Sequence, residues 1–165
     1  MNLEEIGIFK NRVVSKLIHD KNIVDVLLNS DKEKEDPEVA LLGTDGTGKD
    51  GCVFEFEFVP DTQEMAKTFL CVEVIPEKTS GDSVTEMTVY VFAYCSKNIM
   101  QTYRRKGNAG TRIDILISDV DKILNGNDEF GIGPLEWAGS DIYKPAQVYY
   151  GRVVMYKVSS FRRRR

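Results

Sequence analysis

The stretch Gly43 to Gly51, GTDGTGKDG, comes closest to a chemical signature. Gly43, Gly48 and Lys49 satisfy GxxxxGK, the loop whose backbone N–H groups and lysine cradle phosphates, and Gly46, Gly48 and Gly51 satisfy GxGxxG. The magnesium-binding hydroxyl that should follow the lysine is replaced by Asp50, and Asp45 adds negative charge where a phosphate would lie. Both patterns also require a strand before the loop and a helix N-terminus after it. Here a charged stretch and a short apolar run precede the glycines and a Phe/Glu strand follows. The loop therefore reads as a surface connection without nucleotide chemistry.

Other reactive residue types are equally poorly framed. His19 is the single histidine, which excludes zinc sites built on two or more imidazoles, and it ends a helical pattern beside Asp20, where a histidine caps carbonyls. Cys52, Cys71 and Cys95 are widely spaced in apolar, strand-like runs and read as reduced thiols packed in a core. Glu55 and Glu57 share one strand face, as any solvated strand face would have it. Asp114, Asp119 and Asp121 fall on the polar side of a helix without the alternate oxygen ligands and central glycine of a calcium loop. No GxSxG elbow surrounds a serine. The expectation is a protein with no enzymatic activity, no cofactor and no metal.

The charge pattern is more informative. The 165 residues carry 22 Lys plus Arg against 26 Asp plus Glu, a formal charge of -4. Four of the positive charges are Arg162, Arg163, Arg164 and Arg165, so the rest of the chain is acidic and the arginine quartet is a separate electrostatic object. Arg104, Arg105 and Lys106 form a second basic cluster in a loop, and Arg112 follows at a helix start. These eight residues are the candidates for contact with phosphate or with an acidic neighbouring subunit. The start MNLEEIGIFK lacks the basic-then-apolar pattern of a secretory signal, and no apolar run approaches the roughly 18 residues of a membrane span.

The elements that must position these residues follow from periodicity. Leu3, Ile6, Phe9, Val13 and Leu17, with Val14 and Ile18, give an amphipathic helix over 2–20, and a second helical run covers 21–29. The period then changes to two: strands are predicted over Cys52–Val59, Phe69–Ile75 and Val84–Cys95, the last two as a long antiparallel hairpin. Both faces of the later strand are largely apolar, which places it centrally or under cover on both sides. The polar stretch Ser96–Gly110 is long enough to extend off the body. A helix starts at Thr111 with a capping-box-like Asp114 and stops at Asn125-Gly126. After the glycine-punctuated EFGIGPLEWAG, a final strand runs from Gln147 to Val158, with Gly151 as a bulge. The order predicts an α+β fold, a mostly antiparallel sheet with a long hairpin and helices packed on one face, as a single domain over 1–161 followed by a basic tail at 162–165.

On these residues the chain resembles the neck and tail-completion proteins of tailed bacteriophages, the group that contains tail terminators. The matching positions are Arg112, Ile113 and Asp114 of an R-I-D-x-I helix, Gly131, Gly133 and Leu135 of a G-x-G-x-L segment, and Tyr149, Gly151 and Arg152 of a Y-x-G-R strand. The extended hairpin and the N-terminal helix pair are similar too, whereas the glycine loop and the arginine tail lie outside the pattern. The resemblance implies a structural virion protein, assembled in the host cytoplasm, that forms a homo-oligomeric, sixfold ring between the tail tube and the head-side connector. DNA would pass through such a ring without sequence-specific binding, and no membrane would be involved. A head-closure or head-tail adaptor protein, or a small nucleic-acid-binding protein using the basic loop and tail, are the alternatives.

Overall fold

The computed structural model describes residues 4–28, 36–43, 50–61, 67–78, 85–131 and 133–158. Helix α1 (Glu5–Ile18) buries Phe9, Val13, Val14, Leu17 and Ile18 along one stripe. At its end His19 Nδ1 lies 2.6 Å from the Ser15 carbonyl, so the lone imidazole does cap a helix. Asp20 then accepts from the N–H groups of Asn22 and Ile23 at 3.0 and 3.1 Å, which turns the chain directly into α2 (Lys21–Leu28).

A short helix follows where the sequence shows only the end of a charged stretch and a short apolar run: α3 (Pro37–Leu42). Its signals are all present, with Asp36 accepting from Glu38 N–H at 3.0 Å, proline in the first turn and Gly43 at the end with φ +85°. Six residues are too few for hydrophobic periodicity to stand out.

The sheet has five strands in the order β1-β2-β3-β5-β4. The long hairpin is β2 (Thr68–Lys78) and β3 (Thr85–Ser96), in continuous antiparallel register from Thr68 opposite Cys95 to Lys78 opposite Thr85. Strand β5 (Tyr149–Val158) flanks β3 on its other side, so β3 is central, as its two apolar faces require. By this register Leu70, Val72 and Val74, the odd positions from Met87 to Cys95, and Val154, Tyr156 and Val158 share one face, and all are buried. Helices α1 and α2 pack on β2, and α4 (Arg112–Leu124) packs on β3 and β5. The fold is α+β with a mostly antiparallel sheet.

Three sequence expectations need correction. The strand foreseen over Cys52–Val59 is reduced to β1 (Val53–Phe54), which pairs with β2 in parallel. Phe54 and Phe58 stack at 4.0 Å between ring centroids, a distance impossible along an extended strand, where four residues span about 13 Å. The chain instead turns over the sheet and leaves Phe56 exposed. Secondly, an unforeseen edge strand, β4 (Glu136–Tyr143), pairs with β5. Its exposure at all but Gly139 and Tyr143 leaves no alternation to read, and the bulge lies here, between Trp137 and Gly139, rather than at Gly151. Thirdly, Gly151 serves close approach: a Cβ there would sit 1.9 Å from the Ala93 carbonyl oxygen and 2.6 Å from Tyr94 Cα.

Because those neighbours are backbone atoms of the central strand, Gly151→Val has no rotamer that relieves the clash. The substitution should cost roughly 4 kcal/mol or more. A chemical-denaturation midpoint indistinguishable from that of the parent would contradict this account.

Candidate interaction surfaces

The basic loop does not extend off the body. After Ser96 the chain makes a single 3-10 turn at Lys97–Ile99, then buries Met100 and Tyr103. Arg112, a candidate contact residue, is only 1% exposed. Its guanidinium donates to the Val26 carbonyl at 2.8 Å, the Ile99 carbonyl at 3.2 Å and Thr102 Oγ1 at 3.1 Å, and lies 5.2 Å from the centre of the Tyr103 ring. Burial lowers its pKa from the usual arginine value, yet a guanidinium stays charged in proteins. It is thus a buried cation held by neutral acceptors and an aromatic face.

Arg105 is likewise engaged inward. Its Nη1 donates to both carboxylate oxygens of Asp119 at 2.9 Å, and its Nη2 to the Asn22 carbonyl at 3.0 Å and the Tyr103 hydroxyl at 3.2 Å. The Tyr103 hydroxyl in turn donates to Asp25. Asp119 is 2% exposed, which corrects its assignment to a solvated helix face. Burial raises its pKa, while the neighbouring Arg105 opposes that shift. The pair and its partners sew the loop to α2 and α4.

Of the eight candidate basic residues, the structure therefore leaves Arg104 and Lys106 on the surface and encloses Arg105 and Arg112. Arg162 to Arg165 lie outside the described residues, as do residues 44–49 of the glycine loop. The two described ends of that loop have structural work. Gly43 ends α3, and Gly51 packs so closely on α3 that a Cβ would sit 2.5 Å from the Leu41 carbonyl oxygen. The loop follows a helix and feeds a strand, the reverse of the phosphate-binding order.

The remaining titratable candidates are dispersed. Glu57 accepts from the Tyr143 hydroxyl at 2.5 Å, while Glu55 accepts from Asn11 at 3.3 Å, so the two carboxylates have separate partners. Burial pushes the Cys71 and Cys95 thiols up to about 12. Among the described residues, no group of three His, Cys, Asp or Glu side chains is arranged to hold a metal ion, and no helix is long and apolar enough to cross a membrane.

Two surfaces stand out instead. Among the described residues, the sheet face away from the helices is covered at one end only, where the chain around Phe58 crosses it. There Tyr94 donates to the Phe58 carbonyl, and Phe69, Cys71, Tyr94 and Tyr149 are buried. At the other end Tyr90, Phe92, Val153 and Met155 are only partly buried and Ile75 is exposed. The second surface is the β4 edge, with Trp137 and Ile142 both more than half exposed. The opposite edge is closed differently. Beyond the short β1, Glu73 accepts from Val74 N–H at 3.2 Å and pairs with Lys10 at 2.7 Å, placing charge on an otherwise open strand.

A model of the YomW family matches residues 20–158, from the start of α2 to the end of β5. The chain belongs to the YomW family. That membership makes it a phage-associated protein, in line with the phage origin that the sequence resemblance implies. No match is found among curated proteins or among solved structures. The matched span holds the whole Arg105–Asp119–Arg112 network and both exposed surfaces, so the YomW family match takes in every feature described above except α1 and the tail.

Truncating one partner of the buried pair tests the anchoring of the loop. Asp119→Ala should lower stability by about 3 kcal/mol, because it leaves the Arg105 charge uncompensated. It should also speed tryptic cleavage at Arg104 and Lys106 in the native protein, and an unchanged cleavage rate would rule out that anchoring. The three thiols should resist a disulfide reagent at pH 8 in the folded protein and all react in denaturant. Rapid reaction of Cys71 or Cys95 in the native state would contradict their burial.

Proposed function

We propose that this phage-associated protein is a structural subunit of the virion neck, most closely a tail terminator: a ring that closes the tail and joins it to the head-side connector. The observation that supports this reading is the half-uncovered sheet face. Tyr90, Phe92, Val153 and Met155 are neighbours in register, Ile75 adjoins them, and the charged residues Glu86, Lys157 and Asp141 stand at the margin. An aromatic and methionine-containing centre with a charged rim is the composition of a protein interface. The open β4 edge beside it offers backbone hydrogen bonds for sheet extension to a neighbour. An acidic body would also let DNA pass the ring without sticking.

Solution mass by light scattering across a wide concentration series, with negative-stain imaging, tests this directly. The expected assembly is a ring, with a mass near six times 18.7 kDa if it is sixfold. The double substitution Tyr90→Lys and Phe92→Lys should return the mass to that of the monomer while leaving the far-ultraviolet circular dichroism unchanged. Ring assembly that survives the double substitution would remove the sheet face from the interface. A parent that stays monomeric and binds duplex DNA in a salt-sensitive manner, with binding lost on replacing Arg104 and Lys106, would favour the nucleic-acid reading instead.

A further inference from the structure

Between α4 and the β4–β5 edge lies an open groove of about 530 Å³. Ile117 and Val154 contribute its apolar surface, Trp137 lines it from β4, and Asp114 and Asp121 line it from α4. Among the described residues, the one cation that lines it, Arg152, lies 3.5 Å from Asp114 and is matched there. Asp121 Oδ1 accepts from the Tyr156 hydroxyl at 2.8 Å, and among the described residues no cation pairs with this carboxylate. An exposed indole and an unmatched carboxylate lining one groove are the combination that a guanidinium fits best, because its planar cation stacks on a ring and its N–H fork meets carboxylate oxygens.

We propose that this groove binds the chain's own arginine segment, Arg162–Arg165, with one guanidinium stacked on Trp137 and paired with Asp121. Charge complementarity selects the occupant, since the quartet is the densest positive charge in an otherwise acidic chain. Reach permits it. Strand β5 ends at Val158, and Tyr156, two residues earlier, stands directly opposite Trp137. The chain therefore leaves the sheet about 7 Å along the strand from the indole. The four residue steps from Val158 to Arg162 cover at most roughly 14 Å, enough to reverse and return. Four consecutive arginines tolerate slippage, because any of them can occupy the seat. The inference is independent of the neck reading and holds for a monomer.

Trp137 is the sole tryptophan, so its fluorescence reports this groove alone. Acrylamide quenching is measured on the full chain at low salt, and on a variant with Arg162, Arg163, Arg164 and Arg165 all changed to Ser. The quenching constant should rise on the order of twofold in the variant, because a stacked guanidinium shields one of the two indole faces. High salt should produce the same rise in the parent and none in the variant. Asp121→Asn, which keeps an acceptor for Tyr156, should also raise quenching in the parent, and a synthetic tetra-arginine peptide should restore shielding to the serine variant. Equal quenching of parent and serine variant at low salt would overturn the proposal. So would shielding that appears only as concentration and mass rise together, which would assign the occupant to a second copy.

Discussion

The buried guanidinium of Arg112 is the constraint around which the helical layer is arranged. It sits at the first residue of α4, yet its acceptors come from α2, at Val26, and from the chain leaving β3, at Ile99 and Thr102. A cation in that position must find acceptors with good geometry or the burial is prohibitive. Meeting that need fixes the approach of α2 to α4 and draws the 97–110 segment down onto both. The Arg105–Asp119 pair then closes the outer side of the same seam, with the guanidinium groups of Arg105 and Arg112 5.7 and 5.2 Å from the centre of the Tyr103 ring.

That seam explains how a chain with a strongly one-sided sheet stays ordered. Helices α1, α2 and α4 together cover one face, and the fully buried aliphatic residues of β2, β3 and β5 pay back the ordering of those helices. Among the described residues, the opposite face is covered by the chain around Phe58, which secures itself by stacking Phe58 on Phe54 and by accepting a hydrogen bond from Tyr94. The partly exposed aromatics at the other end are what a subunit contact would cover in the proposed ring. In that proposal the two tasks are separate, with stability on the helical face and subunit contact on the less covered face and the β4 edge.

Charges that look alike in the sequence end in different roles for the same reason. Arg104, Arg105 and Lys106 are adjacent, but only the middle residue points back at Asp119, and Arg112 is the largest fully buried side chain among the described residues. Carboxylates divide likewise: Asp114 closes a capping box with Thr111, Asp119 is enclosed, and Asp121 holds Tyr156. Five residues separate Asp114 from Asp119 and two separate Asp119 from Asp121, so helix rotation of about 100° per residue turns each acid toward a different face.

Local sequence signals suffice for the α+β class, for the long β2–β3 hairpin with a β3 that is central or covered on both sides, and for both ends of α4. In each case the signal is local, as a period of two or 3.6, a capping box of Thr111 with Asp114, or a glycine at the helix stop. That a strand follows the glycine loop was legible in the same way. Tertiary structure alone decided the fate of the basic residues, the shortening of the strand after Cys52 to Val53–Phe54, and the existence of β4. Burial of Arg112 depends on acceptors up to 86 residues away, stacking of Phe54 on Phe58 depends on a turn over a sheet face, and β4 is held by pairing with β5 rather than by its own composition. Propensity and periodicity act over a few residues, whereas the satisfaction of a buried charge or an edge strand is settled only when distant parts of the chain meet.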